Sequence, residues 1–243
     1  MKHIASLMKV EMILTKRQAA YFLLSVGMPT AFYLIFSGLV ADEAPQNFAR
    51  DYMMSMTAFS MMSTALFSLP TILHTDKVNN WQKVLRHTPV SMVEYYMSKF
   101  LSMIVDYLVA IVVVFSVGHF VRHVELPALD WLVAGVLLIV GSVAFVAIGL
   151  TLTLLPSMQL SSVVGNILYL GLAVLGGLWM PISMFPEWVQ SIGKCLPTYQ
   201  LMELIKAFLN NGSFNLGAAA YLLVFTVILL RLTVKVRKRI EVH

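Results

Sequence analysis

Residues 176–212 read GGLWMPISMFPEWVQSIGKCLPTYQLMELIKAFLNNG, and the fold class turns on them. The stretch opens as the end of an apolar run, is interrupted by Pro181, Pro186 and Pro197, and closes at Asn210, Asn211 and Gly212. Each proline removes a backbone donor and steers the residue before it away from helix, so no single membrane span can cover the stretch. Two short amphipathic segments separated by Pro197 are expected instead. Irregular backbone near bilayer depth persists only where protein or a water-filled cavity surrounds it. Residues 181–212 are therefore expected to form a broken, re-entrant helical segment packed on neighbouring helices at the outer mouth of a pathway.

Outward from this stretch, the flanking apolar runs at 161–179 and 216–234 are long enough to cross a hydrocarbon core of about 30 Å at about 1.5 Å per residue. Four more such runs lie at 21–40, 51–73, 100–120 and 131–155. The expected class is an all-α integral membrane protein with six transmembrane helices in a single transmembrane domain, residues 1–243. Composition agrees: 59% of the 243 residues are hydrophobic and 12% are charged, half the roughly 25% of an ordinary soluble domain. The first apolar run is long enough to span and is followed by others, so it does not read as a cleavable signal. Residues 2–18 mix Ile4, Leu7, Met8 and Met12 with Lys2, Lys9, Lys16 and Arg17, which predicts an interfacial helix over 1–20.

Between the second and third runs lies the longest polar stretch, Thr75 to Lys99. Val78, Trp81, Val84 and Leu85 recur at helical spacing, Lys77, Lys83 and Arg86 lie elsewhere, and Pro89 ends the pattern. A short amphipathic helix is expected over 76–89. Charge sets its side of the membrane. With both termini inside, the inner segments hold 13 of the 17 lysines and arginines, and the outer ones only Arg50, Arg122, Lys194 and Lys206. The positive-inside rule therefore puts both termini and the 76–89 helix in the cytoplasm, and the proline-broken segment outside. The net charge of +5 is used at the membrane faces, so no nucleic-acid partner is expected.

Chemistry-bearing residues are sparse. Asp106 lies inside the third run, where a carboxylate is costly and is read as a possible intramembrane polar site, with Ser102 one turn earlier as a candidate partner. His119 and His123 have ligand-like spacing on a helix, but no third ligand is evident, and Cys195 is the single cysteine. No metal site is expected. The methionines of the second run, Met53, Met54, Met56, Met61 and Met62, offer a flexible thioether surface, for which packing or lipid contact is the ordinary use. Gly135, Gly141 and Gly149 allow close helix approach in the fourth run. The chain carries no G-x-x-x-x-G-K-[ST] loop, H-E-x-x-H pair or G-x-S-x-G turn. This argues against an ATPase site, a zinc hydrolase or an intramembrane serine enzyme. A proton-coupled secondary transporter using Asp106 is the alternative; one intramembrane charge and no convincing internal repeat speak against it.

The Gly-Gly-x-Trp-x-Pro helix end, the Phe-Pro step and the Leu-Pro-Thr-Tyr opening of an amphipathic helix, together with LRHTPV at 85–90, carry a resemblance. In these the chain resembles the permease subunit of ATP-binding cassette transporters of the type-2 exporter family. One departure stands out: the Glu-Lys-Gly usual before the second motif is replaced by DKVNNW, residues 76–81. The resemblance implies a transport subunit without its own ATPase site or cofactor, with ATP and Mg2+ on a partner ATPase present in two copies. It implies that Val78, Trp81, Val84 and Leu85, with Arg86, His87, Thr88 and Pro89, dock that ATPase. It also implies a dimer with a second permease near the first and fifth spans, where Gly165, Gly171, Gly176 and Gly177 allow close approach, and an outer gate at Trp179, Pro181, Phe185, Pro186 and Pro197. Export of a lipophilic drug, antibiotic, peptide or lipid-like substrate is then expected, and a separate permease of this size suits a bacterial plasma membrane.

Overall fold

The computed structural model describes residues 19–39, 47–81, 88 and 90–241. These form eight helices and no strand: α1 (Ala19–Leu39), α2 (Phe48–Val78), α3 (Met92–Arg122), α4 (Ala128–Leu152), α5 (Met158–Leu175), α6 (Glu187–Lys194), α7 (Pro197–Asn211) and α8 (Leu216–Glu241). Five of them, α2, α3, α4, α5 and α8, are long and apolar enough to cross a membrane, and α1 carries the shorter apolar stretch Leu23–Leu39. The interfacial helix expected at 1–20 lies, but for its last two residues, outside the described residues.

Helix α2 is the hub. Its apolar window is 72% buried, against 22% for α5 and for α8, although it is the least hydropathic of the five. That inversion follows from the solvent. Lipid tails reward apolar side chains on the outside, so the polar residues Ser55, Thr57, Ser60, Ser63 and Thr64 are enclosed, where backbone or neighbouring side chains can accept their hydroxyls. The methionine stripe is enclosed with them: Met53, Met54, Met56, Met61 and Met62 are all fully buried. Their unbranched side chains fill the gaps between α2 and its neighbours α1, α3, α4 and α7. The stripe is packing inside one chain and meets neither lipid nor a cavity.

Two irregularities let other backbones reach α2. Pro29 sits inside α1 and cannot donate to the carbonyl four residues back, that of Ser25. Ser60 of α2 supplies the replacement, its hydroxyl donating to the Ser25 carbonyl over 2.8 Å. Further along α2, residues Thr64–Ser68 widen into a π-helical turn before Pro70. There α4 and α5 approach closely: a Cβ on Gly149 would overlap the Ala65 carbonyl, and one on Gly165 would stand 3.4 Å from the Leu66 carbonyl. Further along α2, His74 Nε2 lies 3.0 Å from Ser161 Oγ, which donates to the Leu152 carbonyl over 2.8 Å. Those two bonds join α2, α5 and the end of α4.

Several boundaries differ from those the hydropathy pattern predicts. The second run is helical over 48–78 rather than 51–73, and the third begins at Met92 rather than Phe100. Hydropathy marks the hydrocarbon stretch, whereas a helix continues until its hydrogen bonds are capped. At Met92 the cap is a reciprocal box: Ser91 Oγ accepts from Glu94 N–H at 3.1 Å, and Glu94 accepts from Ser91 N–H at 3.0 Å. The fourth run is helical over 128–152 rather than 131–155 and is offset at Gly141–Ser142, where the Ser142 hydroxyl turns back to Leu138. The last helix extends to Glu241, beyond 234.

The fifth correction matters most for the site: the helix stops at Leu175, not Trp179. Leu178 N–H returns to the Ala173 carbonyl over 2.9 Å, Gly177 N–H to Val174 over 3.3 Å, and Gly177 holds φ +76°. This is a glycine-terminated reversal in which Leu178 and Ala173, both fully buried, close the apolar contact.

Candidate coupling loop and outer gate

The loop between α2 and α3 is held at its two ends. Asp76, two residues from the end of α2, pairs with Lys99 of α3 at 2.8 Å, and Tyr95 on the same α3 face donates its hydroxyl to the same carboxylate. Lys99 also sits 5.2 Å from the centre of the Tyr95 ring. The Lys99 side chain is 5% exposed and that of Asp76 20%, so each charge depends on the other. Asn79 and Ser91, which flank the intervening segment, therefore leave and rejoin the bundle at a fixed separation.

Within that loop the expected single helix from Val78 is corrected. Val78 is the last residue of α2; Asn79 caps the helix and Asn80 takes φ 52°, a left-handed conformation that asparagine tolerates. Trp81, half-buried, begins beyond this turn. Val78 thus belongs to the span, exposed at its tip, with the Asn79–Asn80 turn between it and Trp81. Thr88 is exposed. Val84, Leu85, Arg86, His87 and Pro89 lie outside the described residues.

The proline-broken segment lies deeper than a surface cap. Pro181 leads into a 3-10 turn, Ile182–Met184; Phe185 is extended and Pro186 opens α6. Pro197 opens α7, where its missing donor costs nothing. Helix α7 then inserts between α4 and α8, with Leu201 and Ile205 fully buried and the Thr198 hydroxyl donating to the Leu172 carbonyl of α5 over 3.0 Å. Its far end is pinned by Arg50 of α2, which reaches Asn210 Oδ1 at 2.5 Å and the Leu209 carbonyl at 3.4 Å while paired with Asp51 at 2.8 Å. A cation at a helix C-terminus also suits the helix dipole.

Trp179 is drawn inward by the reversal. Its ring meets Phe32 of α1 and Phe59 of α2 edge to face, at centroid distances of 5.7 and 5.5 Å, and its indole N–H is buried without a hydrogen-bond partner. Two cavities flank the Gly177–Pro181 strap. One, of about 180 Å³, is bounded by Asp51, Tyr52 and Trp179. The other, of about 150 Å³, is bounded by Tyr199, Met202 and Glu203. Gly177, Pro181 and Lys206 line both. Burial, with the charge and hydrogen bonding of Glu203, raises the Tyr199 hydroxyl above the ordinary tyrosine value. The strap is thus a thin partition, with a neutral phenol, a carboxylate and an ammonium around it.

The glycines expected at a dimer contact divide. Gly165 and Gly176 use their small size within the chain, Gly176 because a Cβ there would overlap Thr198 of α7, and Gly177 supplies the positive-φ turn. Gly171 has nothing within 4 Å of an added Cβ. Asp106 is partly exposed and, among the described residues, forms no hydrogen bond or ion pair; Ser102 is buried on its own and does not partner it. His119 and His123 gather no metal-binding group among the described residues; His119 lies against Trp131, and His123 caps α3 in a left-handed conformation. Reading residues in order missed Asp76, Tyr95 and Arg50, whose partners lie on other helices. The only available signal was an acid at a predicted helix end facing a lysine at the start of the next.

The described residues make a multi-pass helical membrane subunit, with an ion pair across the α2–α3 junction and a proline-broken segment packed between its helices. Comparison with known proteins assigns the family: the ABC-2 type transporter model matches residues 2–209, and the chain belongs to that family as a permease component. It is 28% identical over 233 residues, 95% of each chain, to YvfS of Bacillus subtilis (strain 168), whose name describes it as a transport permease. ABC-2 membrane domains lack an ATPase of their own and work with an ATPase subunit.

Proposed function

We propose that the chain is the six-span membrane subunit of an ATP-driven exporter, with α1 completing the five longer spans and both termini in the cytoplasm of a bacterial plasma membrane. Two copies of the permease, or this chain and a similar one, assemble with two ATPase subunits that bind Mg2+ and ATP. The ATPase docks on the loop that follows Asn80, through Trp81, Val84, Leu85 and the segment to Pro89. Gly171 and the exposed face of α5 meet the second permease. The strap at Trp179–Pro181, with Phe185, Pro186 and Pro197, gates the outer end, and the cargo is a lipophilic drug, antibiotic, peptide or lipid-like molecule.

The observation that carries this reading is the Asp76–Lys99 pair, because it ties the loop directly to the hub helix. ATP-driven closure of the ATPase pair would displace the loop, and the ends of α2 and α3 would move with it. Such a ligand shifts the bundle only by its differential affinity for the two arrangements.

The test is affinity purification of the tagged chain from its native membrane in mild detergent, with an ATPase assay on what accompanies it. A stoichiometric ATPase partner, lost in Trp81→Asp or Leu85→Asp but kept in Pro181→Ala, supports the assignment. Repeated purification without such a partner, or equal loss in all three variants, refutes it.

A further inference from the structure

The two cavities that flank the Gly177–Pro181 strap share one charged side chain. Lys206, half-buried on α7, lines the cavity of about 180 Å³ on one side and that of about 150 Å³ on the other. Among the described residues it forms no hydrogen bond or ion pair. The acids that line the same cavities are already engaged: Asp51 pairs with Arg50 at 2.8 Å, and Glu203 accepts the Tyr199 hydroxyl. The uncommitted charge around the strap is therefore a cation. Its surroundings in the larger cavity are apolar and aromatic, with Phe48 and Tyr52 of α2 on one wall and Leu178, Trp179 and Met180 of the strap on the other. Phe48 and Tyr52 are stacked with ring centres 5.4 Å apart, which makes that wall a flat aromatic surface. An ammonium sheltered by such walls holds an anion more tightly than one free in water, because less of the attraction is screened.

We propose that Lys206 is the docking point for a carboxylate at the end of an apolar molecule, whose side chain or tail lies against Phe48, Tyr52 and Trp179. At about 180 Å³ the cavity falls below the roughly 300–1,000 Å³ of sites that enclose a whole drug-sized ligand. It takes one end of a molecule: the C-terminal residue of a hydrophobic peptide or the head of a fatty acid, which share this chemistry. An uncharged lipophile would fill the apolar part but leave Lys206 without a counter-charge. Because the same ammonium lines both cavities, a carboxylate on either side of the strap meets the same counter-ion, and crossing the strap needs no change of partner. That the bound molecule is cargo rests on the outer-gate role proposed for the strap; its binding at Lys206 does not.

The test is isothermal titration calorimetry on the full chain in dodecyl maltoside, an uncharged detergent, with two pairs of probes: N-acetylleucine and its amide, and octanoate and octanamide. In at least one pair the carboxylate should bind about tenfold more tightly than the amide, the low end for a hydrogen bond to a charged group. Tighter N-acetylleucine marks a peptide terminus, and tighter octanoate a fatty acid. Lys206→Gln should erase the difference between carboxylate and amide at an unchanged unfolding midpoint, while Lys206→Arg should keep it. Equal binding of carboxylate and amide in both pairs, no binding of either, or a difference that survives Lys206→Gln overturns the proposal. The titration uses neither ATPase nor transport, so a chain without an ATPase partner can still pass it, and a working exporter can still fail it.

Discussion

Removing one partner of the Asp76–Lys99 pair should loosen the junction of α2, α3 and the loop by an amount the geometry bounds. At 2.8 Å and an effective dielectric of about 20, the attraction is about 6 kcal/mol before desolvation is subtracted. Breaking a fully buried pair from one side costs about 3–5 kcal/mol. The carboxylate is 20% exposed, so water recovers part of that, and Lys99→Met or Asp76→Asn should each cost about 2–4 kcal/mol. Thermal unfolding in detergent, followed by tryptophan fluorescence, should show a lowered midpoint in each single variant. Asp76→Asn combined with Lys99→Met should be less damaging than the two single losses added, because no charge is left without its partner. A coupling energy above about 1.5 kcal/mol in the double-mutant cycle is expected for groups in contact. Additive losses, with coupling near zero, would show that water screens the pair and that it does not fix the loop.

Other sites give sharper structural outcomes. Gly149→Ala places a methyl on the Ala65 carbonyl and should lower the unfolding midpoint and the yield of monodisperse protein, whereas Gly135→Ala, whose added Cβ meets Ile111 at an ordinary 3.9 Å, should lower neither. Ser60→Ala removes the hydroxyl that serves the Ser25 carbonyl and should cost about 1 kcal/mol; the loss should shrink when Pro29→Ala restores a backbone donor, as measured by unfolding in sodium dodecyl sulfate. The raised Tyr199 hydroxyl means that the folded chain keeps this proton longer than the unfolded one. Its contribution to stability is therefore complete below the ordinary tyrosine value of about 10 and falls as pH rises above it. Glu203→Gln should weaken that alkaline loss, as read from midpoints across pH 9–11.

The sequence by itself determined the elements that depend on local chemistry. Apolar length marks the spans because the bilayer is their solvent, and the prolines at 181, 186 and 197 break the outer segment because the missing donor and the ring clash act within a few residues. Asn210, Asn211 and Gly212 end α7 for the same local reason, Gly212 with φ 62°. Family membership was legible too, since its motifs are contiguous. What tertiary structure decided was which faces meet. Apolar content cannot tell lipid from protein, so the least hydropathic span proved to be the hub, and its methionines fill the interior. Trp179 sits between Phe32 and Phe59 because the Gly176–Gly177 reversal turns the chain inward, a direction that span length alone does not encode. Asp76 and Lys99 are 23 positions apart in sequence; only the antiparallel packing of α2 on α3 brings their charges within 2.8 Å.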